Sequence, residues 1–301
     1  MRSLNFYAGL RLNRVTERRR DTAWIEERLR APGARLLPVW RAMNLVRDEP
    51  APAAVFLDAA SIVRMETLTV FLGESDGAAY FALDLSAVEE PDLPPVVKTS
   101  GRFVDLRAVG PVIDRQQGAM LAYARGLMLW HARHRFCGVC GAPMASIAGG
   151  HVRKCMNPDC GTEHFPRTDP AVIMLVTDGE RCLLGRQKQW PQRMYSTLAG
   201  FVEPGESLED AVAREVHEET GIAVADINYH SSQPWPFPAS IMLGFTARAA
   251  SIALRIDPDE LEDAAWFTKD FLRQPHDPEV FRLPRPDSIA RRLIEDWLAA
   301  D

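Results

Sequence analysis

The stretch "GFVEPGESLEDAVAREVHEETGI", residues 200–222, decides how this chain is read. Ser207, with Asp210 three residues on, predicts a capped helix start, and Gly221 is placed to end the helix, so "SLEDAVAREVHEET" is bounded on both sides. Leu208, Ala211, Val212 and Val216 form its apolar stripe. Glu215 falls at the margin of that stripe and Glu219 one turn further along the same side, with Glu218 beside them. Like charges three or four residues apart cost roughly 0.2–0.5 kcal/mol per pair. In most helices such a cluster is a solvated charged face. Here the carboxylates gather where core meets solvent.

Outward from this helix, the C-terminal half alternates strand and helix patterns. "AVIMLVTDGERCLLGRQ" (171–187) has two strand-like runs around Asp178-Gly179, a hairpin signal. Downstream, "SIMLGFTARA" (240–249), "IALRI" (252–256) and "AAWFT" (264–268) read as strands. "DSIARRLIEDWLAA" (287–300) reads as a closing helix with Ile289, Leu293 and Trp297 on one face. Between strands, "SQPWPFPAS" (232–240) reads as a proline-stiffened loop that presents Trp235 and Phe237 with little ordering entropy left to lose. Either ring alone is as well explained by core packing.

Earlier, "AAVFLDA" (53–59), "TLTVFLG" (67–73) and "ESDGAAYFALDL" (74–85), with a turn at Asp76-Gly77, indicate a mixed α/β unit. The prolines of "EEPDLPPVV" (89–97) predict a loop. "DRQQGAMLAYARGLMLWHARH" (114–134) predicts a helix whose Met120, Tyr123, Leu127 and Trp130 belong to the core. No internal repeat is visible.

A chain of 301 residues, 47% hydrophobic and 25% charged, can bury two or three cores. Its formal net charge of -6 opposes a generalised nucleic-acid or membrane surface. The longest apolar runs are far short of the roughly 20 residues that span a bilayer, and the first residues lack a secretory pattern. A cytoplasmic protein is expected.

Cys137-x2-Cys140 and Cys155-x4-Cys160 have the pairwise spacing of a structural zinc site. Four thiolates close the tetrahedron, so the metal stabilises folding and does no chemistry. The alternative is a set of buried or redox-active thiols, with His151 and His164 as occasional ligands that four cysteines make unnecessary. The basic residues nearby, Arg153 and Lys154 among them, suit either nucleic acid or a structural clip, and the acidic chain favours the clip. Cys182 reads as a buried strand residue.

The opening stretch resembles the Nudix box throughout: Gly200, Glu206, Arg214, Glu215, Val216, Glu218, Glu219, Gly221 and Ile222 fill its fixed places. With the cysteine segment, the aromatic loop and "ARRLIEDWL", the chain from about Phe136 onward resembles the NADH pyrophosphatase branch of that family; the first 110 residues match loosely. One departure is the second cysteine pair, wider than the compact pair of bacterial members, which bears on the shape of the zinc loop.

The resemblance implies an N-terminal mixed α/β domain (1–131), a zinc ribbon (132–168) and a C-terminal Nudix α/β/α sandwich (169–301). It implies hydrolysis of NAD(H) to nicotinamide mononucleotide and AMP, with removal of NAD caps from RNA in some relatives, by a homodimer. Glu215, Glu219 and Glu260 are the implied ligands for Mg²⁺ or Mn²⁺, whose charge repays the carboxylate repulsion. Glu218 is the implied activator of water, and Arg214 is expected to pair with a glutamate and hold its rotamer. The implied substrate residues are Ala199, Phe201, Ala290 and the segment Gln233, Pro234, Trp235, Pro236, Phe237, Pro238, Ala239 and Ser240. Hydrolysis of another substrate such as ADP-ribose, and a nucleotide-sensing regulator that cleaves nothing, are the alternatives.

Overall fold

The computed structural model describes residues 4–62 and 67–300, so residues 1–3 and 301, the outer ends of the expected first and last domains, lie outside the described residues. The chain divides into two units. One holds Tyr7–Thr168 with Pro236–Ala239; the other holds residues 4–6, Asp169–Trp235 and residues 240–300. The cysteine segment therefore shares a unit with the residues before it. Among the described residues no helix is long and apolar enough to cross a membrane.

In the N-terminal unit, Asp21 caps α1 (Thr22–Arg30) by accepting from the Trp24 N–H. Then come β1 (Arg35–Trp40), β2 (Met43–Arg47), β3 (Ala53–Ala54), β4 (Leu57–Asp58), β5 (Thr69–Ser75) and β6 (Ala78–Asp84). The β5–β6 turn has Asp76 and Gly77 at φ 51° and 77°, the two positive values a tight I′ hairpin needs. The strand-like run at 53–59 is split: β3 pairs with β2 and β4 with β1. Pro95, expected in a loop, opens α2 (Pro95–Ser100), where a first-turn proline gives up only an N–H that has no helical partner. After β7 (Arg102–Val104) and α3 (Leu106–Val109), Asp114 caps the long α4 (Arg115–Arg133). Met120, Leu127 and Trp130 are buried as expected, and Tyr123 partly so. The cysteine segment carries β8 (Met144–Ile147), β9 (Val152–Cys155) and β10 (Glu163–His164) as a small antiparallel sheet.

The C-terminal unit is built from β11 (Asp169–Thr177), β12 (Arg181–Arg186), β13 (Leu198–Phe201), α5 (Leu208–Thr220), β14 (Val224–Trp235), β15 (Ser240–Ala249), β16 (Asp263–Thr268), α6 (Lys269–Arg273) and α7 (Ile289–Ala299). Its sheet runs β14-β15-β11-β12-β16, with β13 added to β11. Alternation along β11 serves two cores. Val172, Met174 and Val176 pack with Ala211, Val212 and Val216 of α5. Ile173 and Leu175 pack with Ile289, Leu293 and Ile294 of α7. Each such fully buried aliphatic side chain contributes about 1.5–3 kcal/mol before entropy is counted. The result is the α/β/α sandwich that the resemblance implied.

Two expectations here are corrected. "IALRI" is not a strand: the Arg255 N–H donates to the Thr220 carbonyl and the Asp257 N–H to that of Glu219, so this segment closes the end of α5 while Leu254 and Ile256 fill the core. "SQPWPFPAS" is loop only over residues 236–239, because β14 continues to Trp235. As an edge strand, β14 tolerates Pro234, whose missing N–H removes no bond to a further strand.

A likeness between the two sheets was not visible in the sequence. In one, β1 is antiparallel to β2 and parallel to β6, which is antiparallel to β5. In the other, β11 is antiparallel to β12 and parallel to β15, which is antiparallel to β14.

Candidate active site

The glutamate helix starts where it was expected. Ser207 Oγ accepts from the Asp210 N–H at 3.1 Å, and Asp210 accepts in return from the Ser207 N–H. Gly221 closes the helix at φ 71°. The helix thereby sets Arg214 against the Phe201 carbonyl and Glu215 against Gly200 of β13, brings Glu219 to the cavity that Ala199 lines, and leaves Glu218 more exposed beside Arg214.

Arg214 is the organising group. Its guanidinium takes Glu206 in a two-pronged ion pair, donates to Glu215 and Glu218 at 2.9 Å each, and donates to the Phe201 carbonyl at 2.9 Å. One planar fork thus holds three carboxylates, which a lysine has no geometry to do. These bonds, with the Glu203 N–H, hold the Glu206 carboxyl down at about 2.

Glu219 is in the opposite condition. It is 4% exposed, and its Oε2 has no hydrogen-bond partner among the described residues. Burial first, then the charges of Glu215, Glu260 and Glu218, push its carboxyl up to about 8. Burial also raises Glu215, against the pull of Arg214. An unpartnered buried carboxylate oxygen is costly. A divalent cation among hard oxygens would remove that cost and the mutual repulsion together, so Glu215, Glu219 and Glu260 fit the group the resemblance implies. Glu260 is exposed, on the segment that follows Asp257, and its charge acts on both of the other acids.

Glu219 also lines a cavity of about 250 Å³ within the C-terminal unit. Ala199, Gln233, Trp235 and Ala290 line it as well. The remaining expected substrate residues are not brought to it. Phe201 is 60% exposed outside the cavity wall, and Pro234 and Ser240 lie in paired strands. Pro236, Phe237, Pro238 and Ala239 belong to the other unit, so the reading of two presented rings is corrected. Phe237 is buried there, edge-on to Tyr7 at 5.9 Å with Arg107 and Arg125 over its face. Gln233 is committed to structure. Its amide donates to the carbonyls of Asp287 at 2.7 Å and Phe6 at 3.3 Å and accepts from the Ile289 N–H at 2.7 Å.

The cavity has polar members that sequence reasoning missed: Gln187, Ser196, Thr197, Arg285 and Ser288. Thr197 was within reach, since strand alternation puts it on the face of Ala199. Arg285 precedes a helix cap and carries no signal of its own.

The four cysteine sulfurs lie within 4.8 Å of one another. Cys140 and Cys155 are 3.4 Å apart and Cys137 and Cys160 3.8 Å, against an edge of about 3.8 Å for a tetrahedron with 2.3 Å zinc–sulfur bonds. These are not disulfide distances. His164 Nε2 sits 3.6 Å from the Cys137 sulfur as an outer neighbour. His151 is elsewhere, bonded to the Phe71 carbonyl.

Comparison with known proteins agrees with this geometry. Residues 167–284 match the family described as NUDIX domain, residues 132–165 the NADH pyrophosphatase zinc ribbon domain, and residues 33–130 the NADH pyrophosphatase-like rudimentary NUDIX domain. The NAD-capped RNA hydrolase NudC of Mycobacterium bovis is 41% identical over 252 residues, covering 77% of this chain and 76% of its own. The chain belongs to the NADH pyrophosphatase branch of the Nudix family. The NudC of Stutzerimonas stutzeri is 43% identical over 228 residues, covering 76% of each chain. The NAD-capped RNA hydrolase NUDT12 of Homo sapiens is 42% identical over 198 residues, which are 62% of this chain and 43% of that protein. This chain thus spans under half the length of the primate relatives. The N-terminal match accounts for the shared sheet order: a Nudix-like sheet recurs in the first unit, where the described residues between β2 and β5 hold only β3, β4 and a short 3₁₀ turn, with no counterpart of α5.

Proposed function

We propose that this Nudix protein hydrolyses the diphosphate bond of NAD(H), releasing nicotinamide mononucleotide and AMP, and removes NAD caps from RNA 5′ ends. The observation that carries this reading is Glu219, a buried carboxylate with an unpartnered oxygen in the wall of a mostly apolar cavity. Such a site suits a flat base next to a metal-held diphosphate. The names of the bacterial and primate relatives support it.

In this reading Glu215, Glu219 and Glu260 would hold Mg²⁺ or Mn²⁺, and the charge so supplied would neutralise the diphosphate and polarise it toward attack. Glu218 takes a proton from water as the water oxygen bonds to one phosphorus. The bridging P–O bond breaks, and the other nucleotide leaves with its phosphate. Arg214 keeps Glu218 and Glu215 in register. Trp235, Ala199 and Ala290 receive one base, and exposed Phe201 is placed to stack on the other. Gln233 positions α7. The protein works in the cytoplasm as a homodimer, with zinc on Cys137, Cys140, Cys155 and Cys160.

The test is to incubate purified protein and Mn²⁺ with NADH, NAD, ADP-ribose and NAD-capped RNA and to identify products by mass spectrometry. AMP with the mononucleotide is the expected result. Cleavage of ADP-ribose alone would assign another substrate, and no cleavage at all would favour a nucleotide sensor. Backbone contacts would make the capped-RNA reaction more salt-sensitive than that of free NADH.

A further inference from the structure

A second cavity, of about 320 Å³, lies in the N-terminal unit, and its place in the fold is that of the cavity beside Glu219. Ser75, the last residue of β5, lines it as Trp235, the last of β14, lines the other. Tyr80 is the third residue of β6 as Met242 is the third of β15. The first turn of α4 supplies Gln117, and the first turn of α7 supplies Ile289 and Ala290. α4 lies against β1, β5 and β6 as α7 lies against β11, β14 and β15. The N-terminal cavity lacks the catalytic half of the arrangement. Among the described residues this unit has no counterpart of α5, and Asp76 is the sole acid lining the cavity, so no cluster of hard oxygens is there to hold a divalent cation.

What it keeps is recognition chemistry. The rings of Phe56 and Tyr80, both half-buried, meet edge to face with centroids 5.8 Å apart. Gln117 Oε1 accepts from the Ala54 N–H at 2.7 Å, which fixes the side chain, and its Nε2 donates to no described residue. Gln116 Oε1 accepts from the Arg11 N–H at 2.7 Å, which fixes the backbone that carries Arg11. The Arg11 guanidinium and the Tyr80 hydroxyl have no hydrogen-bond partner among the described residues, and Asp76 accepts from Ser75 Oγ at 3.0 Å. Two rings, a fixed amide donor and an unpaired cation suit a flat base that carries a phosphate.

We infer that this cavity binds an adenosine 5′-phosphate group, as free AMP or as the AMP half of the dinucleotide, and holds it without cleaving it. The choice of nucleotide rests on the substrate reading given above; the existence of the site does not. Adenine is neutral and flat, its ring nitrogens can accept from Gln117, its amino group can donate to Asp76, and the phosphate pairs with Arg11. The nicotinamide ring of oxidised NAD is cationic, which Arg11 opposes.

The test is hydrogen exchange of the zinc-loaded full chain with AMP and with NAD, in buffer free of Mg²⁺ and Mn²⁺ so that neither is consumed. AMP is expected to slow exchange at residues 75–80 and at the start of α4. The same protection by NAD would assign the site to the AMP half of either molecule, and its absence with NAD would assign the site to the free mononucleotide. Arg11→Ala keeps the backbone N–H that Gln116 accepts, so it should fold as wild type, weaken AMP at this site by about tenfold and leave kcat and KM for NADH unchanged. Tyr80→Leu removes a ring face and should weaken AMP several-fold. Unaltered exchange in both segments at saturating AMP would overturn the inference. So would an Arg11→Ala chain protected at the same AMP concentration as wild type. NADH cleaved by a chain that AMP does not protect would leave the substrate reading standing without this site, whereas protection in a chain that cleaves no dinucleotide would keep the site and remove that reading.

Discussion

Gly200 has no positive φ, so its place in the Nudix box reflects space and not conformational freedom. A Cβ there would lie 1.8 Å from Cδ of Glu215 and 2.0 and 2.1 Å from its two oxygens. The glycine is thus the floor under a proposed metal ligand. Gly200→Ala should displace Glu215 and lower kcat by about 10²-fold, the scale at which an ångström of misplacement is felt. Its thermal midpoint should stay within a few degrees of wild type; unchanged turnover would mean that Glu215 is not needed where it stands. Glu218 is tested differently, because Arg214 already holds one of its oxygens. Glu218→Gln keeps that bond but cannot take a proton, so it should fold normally and lose roughly 10²–10⁴ in kcat. Wild-type turnover in that variant would take Glu218 out of the mechanism.

At the scale of elements, α5 owes its register to its ends. Ser207→Ala removes the acceptor for the Asp210 N–H and should cost about 1 kcal/mol, a drop of roughly 2–4 °C in the midpoint of a unit this size. A midpoint equal to wild type would mean that packing by Val212 and Val216 alone sets the helix. This helix could be read in the sequence because caps and stripe are local chemistry, and the same is true of β15, whose bounds coincide with the expected run. "IALRI" could not, since its alternation satisfies burial without a strand partner and its backbone bonds go to the end of α5. The reach of β14 through Pro234 depends on its being an edge, a fact of sheet order and not of composition. The gathering of Glu215, Glu218 and Glu219 on α5 was legible through their spacing. The polar end of the cavity was not, because Thr197 and Arg285 meet it from different elements.

Across the whole molecule, a sheet of one order recurs in both units, and the N-terminal unit contains two buried histidines, His131 on α4 and His151 just before β9, that tie its stability to pH. His131 is 1% exposed; its Nε2–H donates to the Gly150 carbonyl at 2.7 Å, and its Nδ1 accepts from Arg153 at 3.1 Å, which fixes a neutral tautomer. His151 is 8% exposed, and its Nε2–H donates to the Phe71 carbonyl at 2.7 Å. Burial, outweighing these carbonyls, lowers both rings to about 4. Because the folded values lie below the ordinary histidine value of about 6.5, the unfolded chain binds more protons between pH 6.5 and 4. Stability from these groups is complete above about pH 6.5 and is lost as acid is added down to about pH 4, at most about 3 kcal/mol for each ring. Thiolates on zinc lose affinity over the same range, so the comparison must hold the metal saturating and use the difference between variants. His151→Gln can keep a donor for the Phe71 carbonyl and has nothing to titrate. Its thermal midpoint should match wild type within a few degrees at pH 7.5 and fall less steeply between pH 6.5 and 4.5. Parallel curves for the two proteins would show that His151 charges without cost in the fold and that acid lability arises at the cysteines.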